Sequence, residues 1–294
     1  MSARSETAGT HIAAASTPGF FALVGQAITD VVSRRRLVRY LVEAEIRKRG
    51  VNTLLGNLWW VLDPLLLMAV YVVLVSFIRT RQIPDYPLFV FAAVLPWKWF
   101  TSAIGDSANS VVGQHRLIKQ IAFPKIVLPV AATTAGVVGF AFGIVPLMGI
   151  MFFYDHRLSW LVTLIPLIAV VQFVFTLAVG VIVAAANVFF RDLGNVVGHM
   201  LRLWFYLSPG LYSLDQVREL GFVQANPWVA TALAMNPIAV LFESYRAVIY
   251  GTETAGPMPP DFVGLGWLLG VSLVLLASAA VWFKRLERDF AKVL

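Results

Sequence analysis

Only a few ionisable residues interrupt the long apolar runs of this sequence, and they are the places where chemistry could be performed. The stretch "NVFFRDLGNVVG" sets Arg191 beside Asp192 between two apolar runs. Asp63 stands directly before a proline, and Lys98 lies between two tryptophans in "PWKWF". Asp63 fits either a helix cap or kink or a proton-coupling carboxylate. Lys98 fits either an interfacial ammonium or a contact with substrate.

The sequence contains no motif for nucleophilic, metal or nucleotide chemistry. It has no Cys, and its four His are scattered without metal-ligand spacing. It also lacks the G-x-x-x-x-G-K-[ST] loop that binds ATP phosphates, a nucleophile elbow and a paired catalytic carboxylate in one loop. The sequence therefore predicts a protein that is not an enzyme and holds no cofactor. Energy for any work would come from a partner or from an ion gradient.

The elements that position these residues are predicted to be membrane-spanning helices. Hydrophobic residues make up 59% of the chain and charged residues 13%, about half the charged share of a soluble domain. Five apolar runs approach or exceed the roughly 20 residues that cross a bilayer, and a sixth is shorter. The sequence predicts an all-α polytopic membrane protein with six transmembrane helices, in the runs 58–78, 86–104, 126–153, 160–188, 200–214 and 261–283.

The distribution of basic residues orients these six spans. With both termini cytoplasmic, 17 of the 23 Lys and Arg fall in inside segments. This bias is the one that membrane insertion produces, and it explains the net charge of +7 without nucleic-acid binding. We expect a multi-pass protein of the bacterial inner membrane, with Arg191 and Asp192 at a turn at the cytoplasmic mouth.

Four segments follow along the chain. Residues 1–30 are expected to form a loosely ordered cytoplasmic tail, and residues 284–294 a second cytoplasmic tail. The range 31–50 has apolar residues at helical spacing among Arg and Glu, which predicts an amphipathic interface helix. Such a helix can anchor at the membrane surface or contact a cytoplasmic partner. The six-span domain occupies 51–283.

Two connecting segments are long enough to carry function. The cytoplasmic loop 105–125 predicts a short amphipathic helix that ends at "FP" and docks a partner. The outer segment 215–250 contains two prolines that no single helix can pass unbroken, which favours short re-entrant helices forming an outer gate. Within it, Glu243 and Arg246 are one helical turn apart and can pair. Pro237, Glu243 and Arg246 are the candidate gate residues.

Aromatic side chains are candidates for lining a path for sugars, because they stack on the apolar faces of sugar rings. The sequence has 9 Trp, 8 Tyr and 21 Phe. Most of these must face lipid or pack in the core. The candidate path residues are Trp59, Trp60, Trp97, Phe100, Trp204 and Tyr206.

From about residue 31 to the end, the chain resembles the membrane subunit of ABC-2-type polysaccharide exporters, the permeases for O-antigen, teichoic acid and capsule. Any one matching piece is weak, but six in order at similar spacing are specific. Asp63 departs from the family's more usual Asn, and Lys98 stands where a neutral residue is common. The matching pieces are "GNLWWVLDP", "YPLFVFAAVLPWKWF", "LIKQIAFPKIVLP", "NVFFRDLGNVVG", "FYLSPGLY" and "NPIAVLFESYR".

The resemblance implies a half-transporter. Two copies would form a homodimer and bind two ABC ATPase subunits, which would hold ATP and Mg. The cargo would be a lipid-linked polysaccharide, including cell-wall galactan types. The loop 105–125 would be the coupling element, the 31–49 helix the interface helix, and Glu243 with Arg246 the family's "E-x-x-R". The residues expected at the ATPase are Arg116, Lys119, Phe123, Pro124, Arg39 and Arg47.

Two alternatives remain open from the sequence. An ABC-2 exporter of a drug or a lipid shares the fold and differs in cargo size. An integral-membrane enzyme acting on lipid-linked sugars would need acidic residues gathered in one loop, whereas the 16 carboxylates here are dispersed.

Overall fold

The protein is all-α in the part of the chain that the structure describes. The structure is a computed structural model and describes residues 18–50, 54–78, 83–190, 192–252 and 254–294. Within these ranges the α-helices are α1 (Phe20–Ser33), α2 (Arg35–Gly50), α3 (Trp59–Ile78), α4 (Tyr86–Ser110), α5 (His115–Gln120), α6 (Val127–Phe153), α7 (Ile165–Phe189), α8 (Leu193–Leu207), α9 (Leu214–Arg218), α10 (Gly221–Ala225), α11 (Pro227–Ala234), α12 (Pro237–Ile249) and α13 (Phe262–Val293).

Five of these helices, α3, α4, α6, α7 and α13, are long and apolar enough to cross a membrane. A sixth span is possible only if α11 and α12 count as one element, and they are bent by 73° at Asn236. The prediction of an all-α polytopic membrane protein is confirmed. The predicted sixth run, 200–214, differs from the structure, because α8 begins at Leu193 and ends at Leu207. Its 15 residues extend about 22 Å, less than the roughly 30 Å of a bilayer core.

Helix α4 is the centre of the fold. In its most apolar 18-residue window 78% of the residues are buried, against 11% in the corresponding window of α3. Helices α3, α6, α7, α8 and α12 all pack against α4. Pro96 lies inside α4, and its carbonyl accepts a hydrogen bond of 2.8 Å from the buried Gln172 side chain of α7. A buried amide thus fixes the pairing of the two most buried spans.

A second apolar cluster joins the two ends of the chain to the spans. Ala27 of α1, Leu41 of α2 and Phe290 of α13 are buried in it together with residues of α6 and α7. The chain turns between α1 and α2 at Arg34. Three expectations need correction here. The segment 1–30 contains most of a packed helix, the helix expected at 31–50 is broken at Arg34, and 284–294 continues α13 to Val293.

Candidate functional site

At the outer gate predicted from sequence, Arg246 is a completely enclosed side chain. It is 2% exposed, and its guanidinium lies 3.8 Å from the centre of the Phe89 ring. Glu243 pairs with it at 3.3 Å, but four more acceptors are backbone carbonyls. These are the carbonyls of Phe89 at 3.3 Å, Pro209, Gly210 at 2.5 Å and Tyr212 at 3.2 Å. Arg246 therefore holds the "SPGLY" turn against α4 and α12, and Glu243 is one of several partners.

Asn236 fixes the other end of α12 to the same turn. Its side-chain oxygen accepts hydrogen bonds from the Trp204 indole at 2.9 Å and from the Ile238 backbone at 3.1 Å. Its amide nitrogen donates to the Ser208 hydroxyl at 2.8 Å. The turn itself needs glycine at position 210, because a Cβ there would lie 2.6 Å from the Phe205 ring. The predicted gate element, which includes Pro237 at the first position of α12, is thus fastened at both ends.

A second buried arginine organises the outer loops. Arg157 is 5% exposed and donates to the carbonyls of Tyr250 at 3.1 Å, Thr252 at 2.7 Å and Ala255 at 3.1 Å. Its Nε also donates to the Asp85 carboxylate at 3.0 Å. The carbonyls converge on one guanidinium because the chain reverses at a left-handed glycine, residue 251, whose φ is 82°.

Asp85 joins the start of α4 to this arginine. His156 is a second donor to its carboxylate, at 2.8 Å. Burial by itself raises the pKa of Asp85, but the hydrogen bonds and charges of His156 and Arg157 outweigh it and lower the pKa below the ordinary carboxyl value. The residue adopts a left-handed backbone with φ 50°, which Asp tolerates better than most side chains. The carboxylate is therefore a structural ion at neutral pH.

At the opposite end of the spans, the predicted inner mouth is organised by a residue that the sequence reading did not select. Arg191 lies outside the described residues. Asp192 is exposed, and its backbone carbonyl accepts the first hydrogen bonds of α8. The buried Asn187 donates to the Ala108 carbonyl at 2.8 Å and accepts from the Gly194 backbone at 3.0 Å. One amide thus ties α4, α7 and α8 together at this turn.

The predicted coupling loop does form a short amphipathic helix, α5. Ile118 points into the second apolar cluster, while Arg116 and Lys119 are exposed. The helix ends at Gln120, three residues before the "FP" pair expected to stop it. Phe123 and Pro124 are partly buried behind it.

The predicted interface residues Arg39 and Arg47 both lie on exposed positions of α2. Arg39 is 3.5 Å from Glu43 at the surface. Leu41, two residues after Arg39, is buried where α2 packs against α6. Arg39 and Arg47 are thus exposed while the apolar side of α2 is buried.

Behind α5, a buried ion cluster connects the two chain ends. Lys284 of α13 lies 2.6 Å from Asp30 of α1 and 2.7 Å from Glu287, with its side chain 8% exposed. Glu287 also accepts a 2.5 Å hydrogen bond from the backbone N–H of Lys125, just before α6. A displacement of the α5 loop would therefore reach α1 and α13 through one carboxylate.

The six candidate path aromatics divide into two groups. Trp97 and Phe100 are buried in the core around α4, and Trp204 is partly buried and bonded to Asn236. Trp59 and Tyr206 are 40% and 59% exposed, and Trp60 is partly exposed beside Phe142. Within a single copy, only the exposed group is placed where a substrate could reach it.

Asp63 and Lys98, which the sequence reading treated separately, form an ion pair. The Lys98 ammonium lies 3.1 Å from the Asp63 carboxylate, and the two side chains are 42% and 43% exposed. Asp63 on α3 and Lys98 on α4, the two residues that depart from the pattern of the exporter family, therefore pair with each other. The described residues contain no group of three or more His, Asp and Glu arranged to hold a metal ion.

Comparison with known proteins identifies the chain. No family model matches it. The O-antigen export system permease protein RfbA of Myxococcus xanthus is 33% identical over 265 residues, which cover 90% of this chain and 98% of that protein. Two O-antigen export system permease proteins RfbA of Klebsiella pneumoniae are 29% and 30% identical over 260 residues, covering 88% of this chain and 95% of each. The chain belongs to the O-antigen export permease family.

Besides Arg246, which was predicted from the sequence, four residues that were not predicted as site residues hold the two ends of the spans in this permease. Asn236, Arg157, Asp85 and Asn187 each bond at least two segments that are distant in sequence. No local pattern marks Arg157, whereas a polar amide in an otherwise apolar run does mark Asn187. A polar residue inside a span is expected to be bonded in the protein interior, and this signal was available in the sequence.

Proposed function

We propose that this chain is the membrane subunit of an ATP-driven exporter that carries a lipid-linked polysaccharide from the cytoplasmic to the outer face of the bacterial inner membrane. The observation that carries the proposal is similarity over nearly the full length of three O-antigen export permeases. With both termini cytoplasmic, the chain crosses the membrane an even number of times, so a sixth crossing must lie between α7 and α13; α5 then lies inside and the Arg246 turn outside. The distribution of Lys and Arg supports this orientation.

The burial pattern supports a homodimer. A polysaccharide needs a wide aqueous path, but the spans of one copy pack around α4, which is 78% buried in its apolar window. Helix α3 is only 11% buried and exposes apolar side chains such as Leu66 and Val70. Because the core of one copy is packed, a large cargo needs a path between two copies, and α3 would border that path.

The surface formed by α5 and the basic face of α2 suits a soluble ATPase subunit. Arg116 and Lys119 are exposed while Ile118 anchors the helix, so the cations can be offered to a partner without disturbing the core. ATP and Mg would be bound by that subunit, in a complex of two permeases and two ATPases. Movement of α5 would reach the spans through Glu287 and Lys284.

The proposal is tested by purifying the tagged chain in mild detergent and identifying what co-elutes by mass spectrometry. We expect an ATPase with a P-loop at one copy per permease. The same preparation tests the docking surface through charge reversal, Arg116→Glu with Lys119→Glu. Export of the surface glycan should fall at least tenfold, while the complex continues to hydrolyse ATP without coupling.

The matched control is Arg288→Glu with Lys292→Glu, which reverses two exposed cations on α13 at the same side of the membrane. This control should export normally. Wild-type export by the Arg116/Lys119 variant would reject α5 as the coupling element, and a permease that purifies alone would reject the ATP-driven mechanism.

A further inference from the structure

The Asp63–Lys98 pair borders a small polar cleft between α3, α4 and α6. Trp60 and Asp63 form one wall, Lys98 and Ser102 another, and Gly136 the third. The cleft has a volume of about 60 Å³, which is enough for about four water molecules and too small for a sugar ring. Only single hydroxyl groups or water can enter it.

Polar side chains continue from the cleft to the end of α4. Lys98, Ser102 and Asn109, with Gly105 between the last two, repeat at helical spacing on one face, and all four are at least partly exposed although α4 is the most buried span. The face extends about 16 Å from Asn109 to Lys98. Half-exposed charged and polar groups within a span face a water-filled cavity instead of lipid. The cleft is therefore continuous with water at the inner end of α4.

We propose that the Asp63–Lys98 pair contacts the hydroxyl groups of the glycan as it enters the path, and so contributes to cargo specificity. This inference rests on the proposed function. A carboxylate and an ammonium that are half-exposed retain unused acceptors and donors after pairing. Passing hydroxyls exchange with water at these groups, and the Trp60 ring beside them offers an apolar face.

The pairing also explains why the charges occur together. A lone Lys98 would hold the anionic phosphates of a lipid-linked cargo, whereas the adjacent carboxylate cancels that charge. The paired site therefore contacts neutral sugar units weakly enough for them to move on. Substituting Asp63 leaves an unpaired ammonium that holds the phosphates, substituting Lys98 leaves an unpaired carboxylate that repels them, and substituting both removes the contacts.

Water access to the face is tested with single cysteines, since the chain has no Cys of its own. In inside-out vesicles containing the complete exporter, Ser102→Cys should react with a membrane-impermeant methanethiosulfonate. Val274→Cys is the matched control. Val274 lies within the apolar part of α13, ten residues before Lys284, and is 69% exposed. It should be unreactive, and protection of Ser102→Cys would overturn the proposal.

The role of the pair is tested with Asp63→Asn, Lys98→Gln and the double variant. The probe is the surface glycan that disappears when the gene for this chain is deleted. Each single variant should lower it at least threefold, and the double variant should remain at least threefold low while co-purifying normally with the ATPase. The control double variant, Asp289→Asn with Lys292→Gln, removes another ion pair and should export normally.

Restoration of wild-type export in the double variant would show that the pair only balances charge, and would overturn the proposal. If deletion of the gene changes no surface glycan, the proposed function itself fails, which is a different outcome.

Discussion

The two ends of the spans, which we assign to the outer and the inner side of the membrane, use the same kind of side chain in opposite ways in this permease. At the outer end, Arg246 and Arg157 are buried, and each donates to at least three backbone carbonyls. At the inner end, Arg116 and Lys119 are exposed on α5. A buried guanidinium saturated by carbonyls fixes a loop, whereas an exposed cation is available to a partner. Whether a positive side chain fixes a loop or is available to a partner therefore depends on whether it is buried.

The difference has a geometric origin. The outer loops contain turns whose carbonyls have no helical partner, and the planar guanidinium can satisfy several of them at once because it has five donors. The inner loop is short and mostly helical, so its carbonyls are already bonded and its basic side chains remain outside. The comparison predicts that outer arginines control stability and that inner cations control assembly or coupling.

The largest effect is expected for Arg246→Met. It leaves several carbonyls and Glu243 without their shared donor, so the free energy of unfolding should fall by about 3–5 kcal/mol. The measurement is the midpoint of thermal unfolding in detergent, monitored by size-exclusion chromatography. Arg218→Met is the matched control, because Arg218 also pairs with an acid three residues away but is exposed. Its effect should stay within about 0.5 kcal/mol.

If Arg246→Met and Arg218→Met lowered the free energy of unfolding by similar amounts, burial would not explain how much an arginine contributes to stability. Arg246→Lys sharpens the test. It retains the charge but not the planar fork, so most of the loss should persist.

A smaller effect is expected for Gly251→Ala. Position 251 has φ 82°, and a Cβ there would meet the backbone of Gly256, so the chain must shift away from Arg157. We expect a loss of about 1–3 kcal/mol in the free energy of unfolding, from backbone strain. The same substitution at Gly221, which has open space around it, should be nearly neutral. Equal stability of both variants would argue against a strained turn at Arg157.

The smallest effect is the contribution of Asp85 to stability at acid pH. Because the pKa of Asp85 is lowered in the folded protein, its stabilisation is complete above the ordinary value of about 3.9 and is lost as pH falls through the lowered value. Unfolding midpoints measured from pH 7 to pH 3 should show a shallower acid decline for Asp85→Asn than for the natural chain. Parallel curves would show that the carboxylate is not held ionised by Arg157 and His156.

Much of the fold could be predicted from particular residues. Apolar runs predicted the five long spans, the broken apolar segment with Pro237 predicted a bent outer element, and the pattern around Ile118 predicted the α5 helix. Residues 20–30 were expected to be loosely ordered but belong to α1, which packs against α13 and is joined to it by the Lys284–Asp30 pair. That stabilisation comes from contacts between the two ends of the chain, which no local window contains.

The sequence by itself was enough to predict that this protein lies in a membrane and to which family it belongs. Apolar run length, basic-residue bias and six ordered motifs depend on composition and spacing alone, and the bilayer acts on these directly. Only the tertiary structure decided which polar residues act together. The Asp63–Lys98 pair, the carbonyls around Arg246 and the Asp85–Arg157 contact join residues 34 or more positions apart. Such contacts exist only once helices pack, because packing in three dimensions, and not spacing along the chain, sets these distances.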